Sequence, residues 1–191
     1  MSTPKPDAGG YSVLSSRIAY ENPWTRMRED IIRRPNGEKG LYGVVERGQF
    51  SVILPLGVTT SGQATVTLVN QYRYPIQKRL WELPMGMWEN RPNASPTEVA
   101  AGELKEETGL IAQTFHYAGH VYQGAGYSTQ KGHVFLATHL TQTQPERENT
   151  EQDMYSQTVF HTEFEEMIRK NEITCMVSLA AFALVKLQKL L

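Results

Sequence analysis

The chain has 191 residues and a mass of 21.6 kDa, a length typical of one globular domain. Apolar residues make up 40% of it and aromatic residues 9%, which is enough to fill a core and excludes a fully disordered or low-complexity chain. The formal net charge is −1, and no segment has the excess of Lys and Arg that non-specific binding to double-stranded nucleic acid requires.

Cysteine content and hydropathy indicate a cytoplasmic protein. Cys175 is the only cysteine, so the sequence allows neither an internal disulfide nor a paired-cysteine metal site. No apolar signal-peptide core is visible at the N-terminus. The most apolar stretch, residues 175–185, is shorter than the roughly 20 residues that a membrane span needs. We therefore expect no membrane partner and a buried C-terminal helix.

Residues 1–40 are predicted to form an N-terminal extension, and residues 41–191 a single domain. The extension begins with a tail rich in Pro and Gly over residues 1–10, which we expect to be disordered. Its last part contains a hairpin turn at residues 34–37. Strand-like runs follow at residues 41–45, 49–56, 64–74 and 80–83, and the run at residues 64–74 is rich in Val, Thr and Tyr.

A helix over Pro96–Thr108 has a full set of boundary signals. Ser95 occupies the N-cap position, Pro96 the first helical position, and Glu98 completes the spacing of a capping box. Gly109 follows as the left-handed residue that ends the helix. These four residues predict both ends of the element.

The remaining pattern predicts three more strands, at residues 115–123, 131–139 and 155–161, and two helices, at residues 163–170 and 177–190. Strands on both sides of an internal helix, with more helix at the C-terminus, favour an α/β or α+β sandwich.

Three carboxylates share one face of the internal helix. Glu103, Glu106 and Glu107 fall within an arc of about 100°. Such crowding is unfavourable unless a cation lies among them, and Mg²⁺ prefers oxygen ligands together with a substrate phosphate. The alternative is a solvated acidic face. The turn formed by residues 84–86 can bring backbone against this face, which favours the metal site.

Residues 86–110 resemble the signature box of the Nudix hydrolases. That box reads Gly, five residues, Glu, seven residues, and then Arg-Glu-aliphatic-x-Glu-Glu-x-Gly-aliphatic. The residues that match its second half in order and spacing are Glu103, Leu104, Glu106, Glu107, Gly109 and Leu110. These six positions are specific only in combination with the segments outside the box, since an acidic helix alone would not be.

The resemblance extends over roughly residues 41–185. Residues 71–73 and 81–84 are similar to the strand before the box in ADP-ribose and nucleotide-sugar pyrophosphatases, and residues 151–154 resemble the acidic loop after it. The resemblance implies a Nudix-type α/β/α sandwich, with a mixed sheet, the box helix and a C-terminal helix.

The box departs from the pattern in three ways. Gly102 stands where the family has an arginine that orients a metal-binding glutamate. A glycine inside a helix costs about 1 kcal/mol relative to alanine, so we expect another group to approach closely at this position. Two additional residues place an insertion at residues 89–93 and bring Ala94 to the position of the first box glutamate.

The resemblance implies a metal site and a general base. Glu103 and Glu107 would hold Mg²⁺, or Mn²⁺, with the backbone carbonyl of Met85, and Glu106 would stand nearby as a catalytic carboxylate. Glu151, in the acidic loop, is the candidate general base. The alternative for Glu151 is an ordinary surface charge in a polar loop.

Three further residues are candidates for substrate binding. Arg73 would bridge diphosphate oxygens, or else form a salt bridge at the edge of the sheet. Glu82 belongs to the segment before the box that resembles the pyrophosphatases. Trp24 would stack on the nucleobase, as an aromatic of the N-terminal segment does in dimeric relatives, or else is simply buried. The five histidines show no ligand spacing and are assigned no role.

The sequence therefore predicts a Mg²⁺-dependent pyrophosphatase that acts on a nucleoside diphosphate linked to another moiety, such as ADP-ribose or a nucleotide sugar. Its products would be a nucleoside monophosphate and a sugar phosphate. The alternative, motivated by Gly102 and Ala94, is a catalytically weak nucleotide-binding module on the same fold. We also expect a homodimer in which residues 11–40 contact the second subunit.

Overall fold

A computed structural model describes residues 9–88, 91, 93–147 and 153–191. The chain divides into two compact units. The first contains the described residues up to Gly48 together with Tyr122–Gln130, and the second contains the described residues of Gln49–Val121 and Lys131–Leu191. Residues 1–8 of the predicted tail lie outside the described residues.

The first unit is built on a three-stranded antiparallel sheet. Its strands are β1 (Ser12–Glu21), β2 (Arg26–Arg33) and β3 (Lys39–Glu46), in that spatial order. The predicted hairpin turn joins β2 to β3, and Gly37 adopts the positive φ of 86° that the turn requires. The segment Tyr122–Gln130 lies along β3, where the Val45 N–H donates to the Tyr127 carbonyl at 2.7 Å.

The second unit contains a seven-stranded mixed sheet. Its strands are β4 (Phe50–Val58), β5 (Ala64–Arg73), β6 (Lys78–Glu82), β7 (Met85–Gly86), β8 (Leu110–Tyr122), β9 (Lys131–Gln142) and β10 (Tyr155–Phe160). The order is β10-β5-β4-β9-β8, with β6 paired to β5 and β7 paired to β4. β4 and β9 are parallel, whereas β5 is antiparallel to its three neighbours.

Three helices pack on this sheet: α1 (Pro96–Thr108), α2 (His161–Arg169) and α3 (Met176–Leu187). The predicted ends of α1 are confirmed. The Ser95 side chain accepts from the Glu98 N–H, the Glu98 carboxylate accepts from the Ser95 N–H, and Gly109 has a φ of 75°. Among the described residues, no helix is long and apolar enough to cross a membrane.

The sheet separates two apolar cores. Successive residues of β4 and β9 point to opposite faces, and both faces are covered, so the centres of these strands, residues 52–56 and 134–137, are continuously apolar. One core is formed by Ile53, Ala100, Leu104, Leu110, Phe135 and Ala137, with α1 as its helix. The core on the other face includes Val52, Leu54, Val134 and Leu136 with Phe164, Val177, Ala181 and Val185 of α2 and α3. This arrangement confirms the predicted mixed-sheet sandwich.

Candidate active site

Two of the three predicted carboxylates on α1 are buried. The exposed fraction is 5% for Glu103 and 1% for Glu107, while Glu106 is half-buried. Glu103 and Glu107 lie one turn apart, where like charges repel. The alternative of a solvated acidic face therefore does not describe Glu103 or Glu107.

Strand β7 brings backbone against these two carboxylates. The Met85 N–H donates to Glu107 Oε2 at 3.0 Å. A Cβ atom on Gly86 would lie 2.5 Å from Glu103 Cδ and 2.8 Å from its Oε1, so a side chain at position 86 would displace the carboxylate from this place. β7 is fixed in turn by its pairing with β4 at Ser51 and Val52. The predicted proximity of the turn to the acidic face is thus observed.

Basic residues and backbone amides cover the C-terminal end of α1. The Glu146 N–H donates to the Glu106 carbonyl at 3.0 Å, and Arg147 Nε donates to the Glu107 carbonyl at 3.2 Å. Lys105 forms an ion pair with Glu146 at 2.8 Å. These contacts satisfy helix carbonyls that have no partner within the helix and place positive charge at the negative end of its dipole.

The buried carboxylate pair fits a hard divalent cation. A pocket shaped by Gly86 around the Glu103 carboxylate, with Glu107 one turn away, offers the oxygen ligands that Mg²⁺ prefers. Within the described ranges, no group of three His, Cys, Asp or Glu side chains is close enough to form a complete site. A cation held here would therefore also take backbone, water or phosphate oxygens, as Mg²⁺ commonly does. Glu151 lies outside the described residues.

Arg73 and Glu82 are brought together as an ion pair. Arg73 Nε and Nη2 approach Glu82 Oε2 at 2.8 and 2.7 Å. The Glu82 side chain is only 4% exposed, whereas that of Arg73 is 38% exposed. The salt-bridge alternative for Arg73 is thus realised, and a contact of either residue with substrate stays a prediction.

The start of α3 supports the same segment, which sequence reasoning did not anticipate. The Leu83 N–H donates to Ser178 Oγ at 2.9 Å, and both residues are buried. Burial raises the pKa of the Cys175 thiol, and the negative charge of Glu82 acts in the same direction. A polar Ser178 among the otherwise apolar residues 176–185 is the available sequence signal.

Trp24 lies in the first unit, at the turn between β1 and β2. Its side chain is 63% exposed, so the alternative of ordinary burial is wrong. Its backbone N–H donates to Asn22 Oδ1 at 3.0 Å, which stabilises the turn. Stacking of Trp24 on a nucleobase stays a prediction.

The close approach expected at Gly102 is observed, and the approaching group is the indole of Trp88. A Cβ on Gly102 would lie 2.7 Å from Trp88 Cη2 and 2.9 Å from Cε2. The Arg91 guanidinium lies over the indole, 4.5 Å from its centroid, and Arg91 also pairs with Glu98 at 3.6 Å. These residues line part of a cleft of about 430 Å³.

Comparisons with known proteins identify both parts of the chain. Residues 12–45 match a family model described as nucleoside diphosphate sugar hydrolase N-terminal domain, and residues 52–174 match the NUDIX domain. An ADP-ribose pyrophosphatase of Mycobacterium tuberculosis is 32% identical over 75% of this chain and 68% of its own length. An ADP-ribose pyrophosphatase of Bacillus subtilis is 30% identical over 65% of this chain and 64% of its own length.

The fold is also that of a solved structure. A crystal structure of an ADP compounds hydrolase superposes with a TM-score of 0.77, at 14% identity, over 97% of this chain and 95% of the other. The NUDIX model spans more than half of the chain, from the third residue of β4 to the loop before α3. The chain therefore belongs to the Nudix family and is a Nudix hydrolase.

Proposed function

We propose that this protein is a Mg²⁺-dependent pyrophosphatase, with Mn²⁺ as a possible substitute. Its substrate would be a nucleoside diphosphate linked to another moiety, either ADP-ribose or a nucleotide sugar, and its products a nucleoside monophosphate and a sugar phosphate. The observation that carries the proposal is the buried pair of Glu103 and Glu107 against the backbone of β7. The two relatives named ADP-ribose pyrophosphatase, and the match of residues 12–45 to the nucleoside diphosphate sugar hydrolase N-terminal domain, support this substrate class.

Nudix hydrolases generally use divalent metal ions. Here Glu103, Glu107 and the Met85 carbonyl would hold the ion. When bound, a divalent metal neutralises phosphate oxygens and lowers the pKa of the attacking water. The chain itself keeps the two carboxylates shielded from bulk water, and the Met85 N–H fixes the orientation of Glu107.

Proton removal and substrate binding complete the proposal. Glu151 would accept the proton of the attacking water, with Glu106 as a second catalytic carboxylate. Arg73 would contact the diphosphate with its planar guanidinium while Glu82 orients it. Trp24 would stack on the base, and the protein would act as a homodimer in the cytoplasm.

The test is a panel of ADP-ribose and nucleotide sugars, with Mg²⁺ or with a chelator, in which both products are identified. We expect Mg²⁺-dependent release of a nucleoside monophosphate and a sugar phosphate. Glu103→Gln and Glu107→Gln should each lower kcat/KM by about 100-fold or more, because metal charge stabilisation is worth several kcal/mol. Without metal, both variants should melt slightly higher, since a repelling pair has been removed.

Controls separate the roles. Glu163→Gln, at an exposed position on α2, should leave hydrolysis unchanged. Glu151→Gln should keep metal binding but lower kcat by about 10²–10⁴-fold, as expected for loss of a general base. Wild-type rates of hydrolysis in both Glu103→Gln and Glu107→Gln contradict the assignment of these residues to the metal site. Nucleotide binding without turnover by the wild type contradicts the enzyme and favours the weak binding module.

A further inference from the structure

The segment 86–88 and helix α1 are joined by two reciprocal contacts, each made possible by a glycine. Gly86 leaves the space that the Glu103 carboxylate fills, and Gly102 leaves the space that the six-membered ring of Trp88 fills. Glu103 follows Gly102 directly, and Trp88 lies two residues after Gly86. The two contacts are therefore adjacent on both sides of the same junction.

The indole is held on a second side as well. The Arg91 guanidinium lies over its ring at 4.5 Å, within the range of a cation–π interaction. Arg91 also pairs with Glu98 in the first turn of α1. Trp88 thus contacts α1 directly at Gly102. Through Arg91, it is also linked to Glu98, one helical turn before Gly102.

We infer that Trp88 is a positioning residue for the metal-binding glutamate Glu103, in the place of the arginine that the box pattern has at position 102. This inference rests on the proposed function, because it assumes that Glu103 holds a divalent cation. Any Cβ at position 102 would meet the indole ring, and this ring stands two residues after Gly86, which lies against the Glu103 carboxylate. An indole anchored at Gly102 would therefore hold Gly86 against that carboxylate. The role of an arginine side chain on the helix is thus performed by an aromatic ring from the preceding segment.

The predicted effect is on metal affinity. Groups that orient a metal ligand typically contribute 10–100-fold to affinity. Trp88→Leu removes the ring that fills the notch at Gly102, so the segment 86–88 loses one of its two contacts with α1. We expect Mn²⁺ binding to weaken by about 10–100-fold. Titration calorimetry, or the electron paramagnetic resonance signal of free Mn²⁺, measures this affinity. At saturating Mn²⁺, kcat should fall much less than the apparent metal affinity.

Two further variants test the exchange of roles. Gly102→Arg alone places a side chain where the indole lies and should weaken Mn²⁺ binding. In the double variant Trp88→Ala with Gly102→Arg, the space is vacated and the arginine of the box pattern is restored. Mn²⁺ binding should then be tighter than in either Trp88→Ala or Gly102→Arg alone.

Ile111→Ala is the matched control, because Ile111 lines the same cleft from β8, while the atoms nearest to a Cβ at Gly86 or Gly102 belong to Glu103 and Trp88. It should bind Mn²⁺ like the wild type. Thermal melting identifies the folded variants, and Trp88→Phe, which keeps an aromatic ring, should retain more affinity than Trp88→Leu.

The outcomes are distinct. Wild-type Mn²⁺ affinity in folded Trp88→Leu overturns the inference. So does a double variant whose loss of Mn²⁺ affinity is the sum of the losses in Trp88→Ala and Gly102→Arg. Tight Mn²⁺ binding by a wild type that hydrolyses no nucleotide overturns the proposed function and leaves the positioning role of Trp88 standing.

Discussion

Glu82 is a buried carboxylate whose charge is balanced by a partly exposed guanidinium. Its partner Arg73 lies nine residues earlier on the neighbouring strand β5. An exposed arginine beside two tyrosines suggests either ligand binding or an ion pair, and the sequence alone does not show which acidic residue reaches it. The buried carboxylate of Glu82 requires a positive charge beside it, because an unpaired buried carboxylate is strongly destabilising.

Arg73→Lys separates substrate binding from charge balance. Lysine keeps the positive charge beside Glu82 but loses the planar fork, so we expect substrate binding to weaken by about 1–3 kcal/mol, or roughly 5–150-fold in KM. Urea denaturation should show stability close to the wild type. In contrast, Arg73→Ala should also lower the free energy of unfolding, by about 1–3 kcal/mol. A wild-type KM for Arg73→Lys would assign Arg73 to the ion pair alone.

At the scale of elements, local signals made α1 predictable. Its cap, capping box and left-handed stop depend only on residues within one turn of each end. The two-residue strand β7 has no such signal, since it exists through its pairing with Ser51 and Val52 of β4. The start of β8 at Leu110, five residues before the predicted start, was missed because the strand follows the helix stop without a turn.

In the candidate site, too, the features set by local sequence are predictable and those set by tertiary packing are not. The spacing of Glu103 and Glu107 on a helix predicted that they share a face, and the poor helix propensity of glycine predicted a close neighbour at Gly102. That this neighbour is Trp88, 14 residues earlier in the chain, depends on tertiary packing. The same holds for Ser178, which reaches Leu83 across 95 residues.

His133 joins β9 to β8 and to the residue before β4, although the sequence assigns it no role. Near the start of β9, its Nε2 is 2.6 Å from Oε1 of Gln49, which directly precedes β4, and its Nδ1 is 3.4 Å from the hydroxyl of Tyr117 on β8. A neutral imidazole can donate to the first and accept from the second. Burial lowers the pKa of His133, and the positive charges of Lys131 and His120 lower it further.

This pKa shift predicts a stability loss on acidification. The folded state disfavours the protonated ring, so the stabilisation is complete above the unfolded-state pKa of about 6.5 and is lost as the pH falls through the lower pKa of the folded state. Chemical denaturation of His133→Gln should show a weaker decline in stability below about pH 6.5 than the wild type, and lower stability at pH 7.5 by about 1 kcal/mol. His116→Gln, exposed on β8, is the control. Parallel profiles for His133→Gln and the wild type would exclude this origin.

At the scale of the whole molecule, the first unit exposes an unusual amount of apolar surface. All ten residues of β1 are exposed, and β1 forms an edge of its sheet. Exposed large apolar side chains on the three strands and their first turn are Val13, Leu14, Ile18, Tyr20, Trp24, Met27, Leu41 and Tyr42. Long apolar edge strands and patches of this kind typically mark surfaces that pair with another chain. A second copy of this chain is the partner that we propose.

Light scattering after gel filtration tests this assembly. The wild type at micromolar concentration should show twice the chain mass of 21.6 kDa, because a symmetric dimer removes the apolar faces of both copies from water. Ile18→Lys on β1 places a charge in that interface and should shift the mass to that of one chain. Val58→Lys, which alters an exposed apolar residue at the end of β4 in the second unit, should leave the wild-type mass unchanged. A single-chain mass for the wild type contradicts the dimer, and an unaltered mass for folded Ile18→Lys contradicts the role of β1 in its interface.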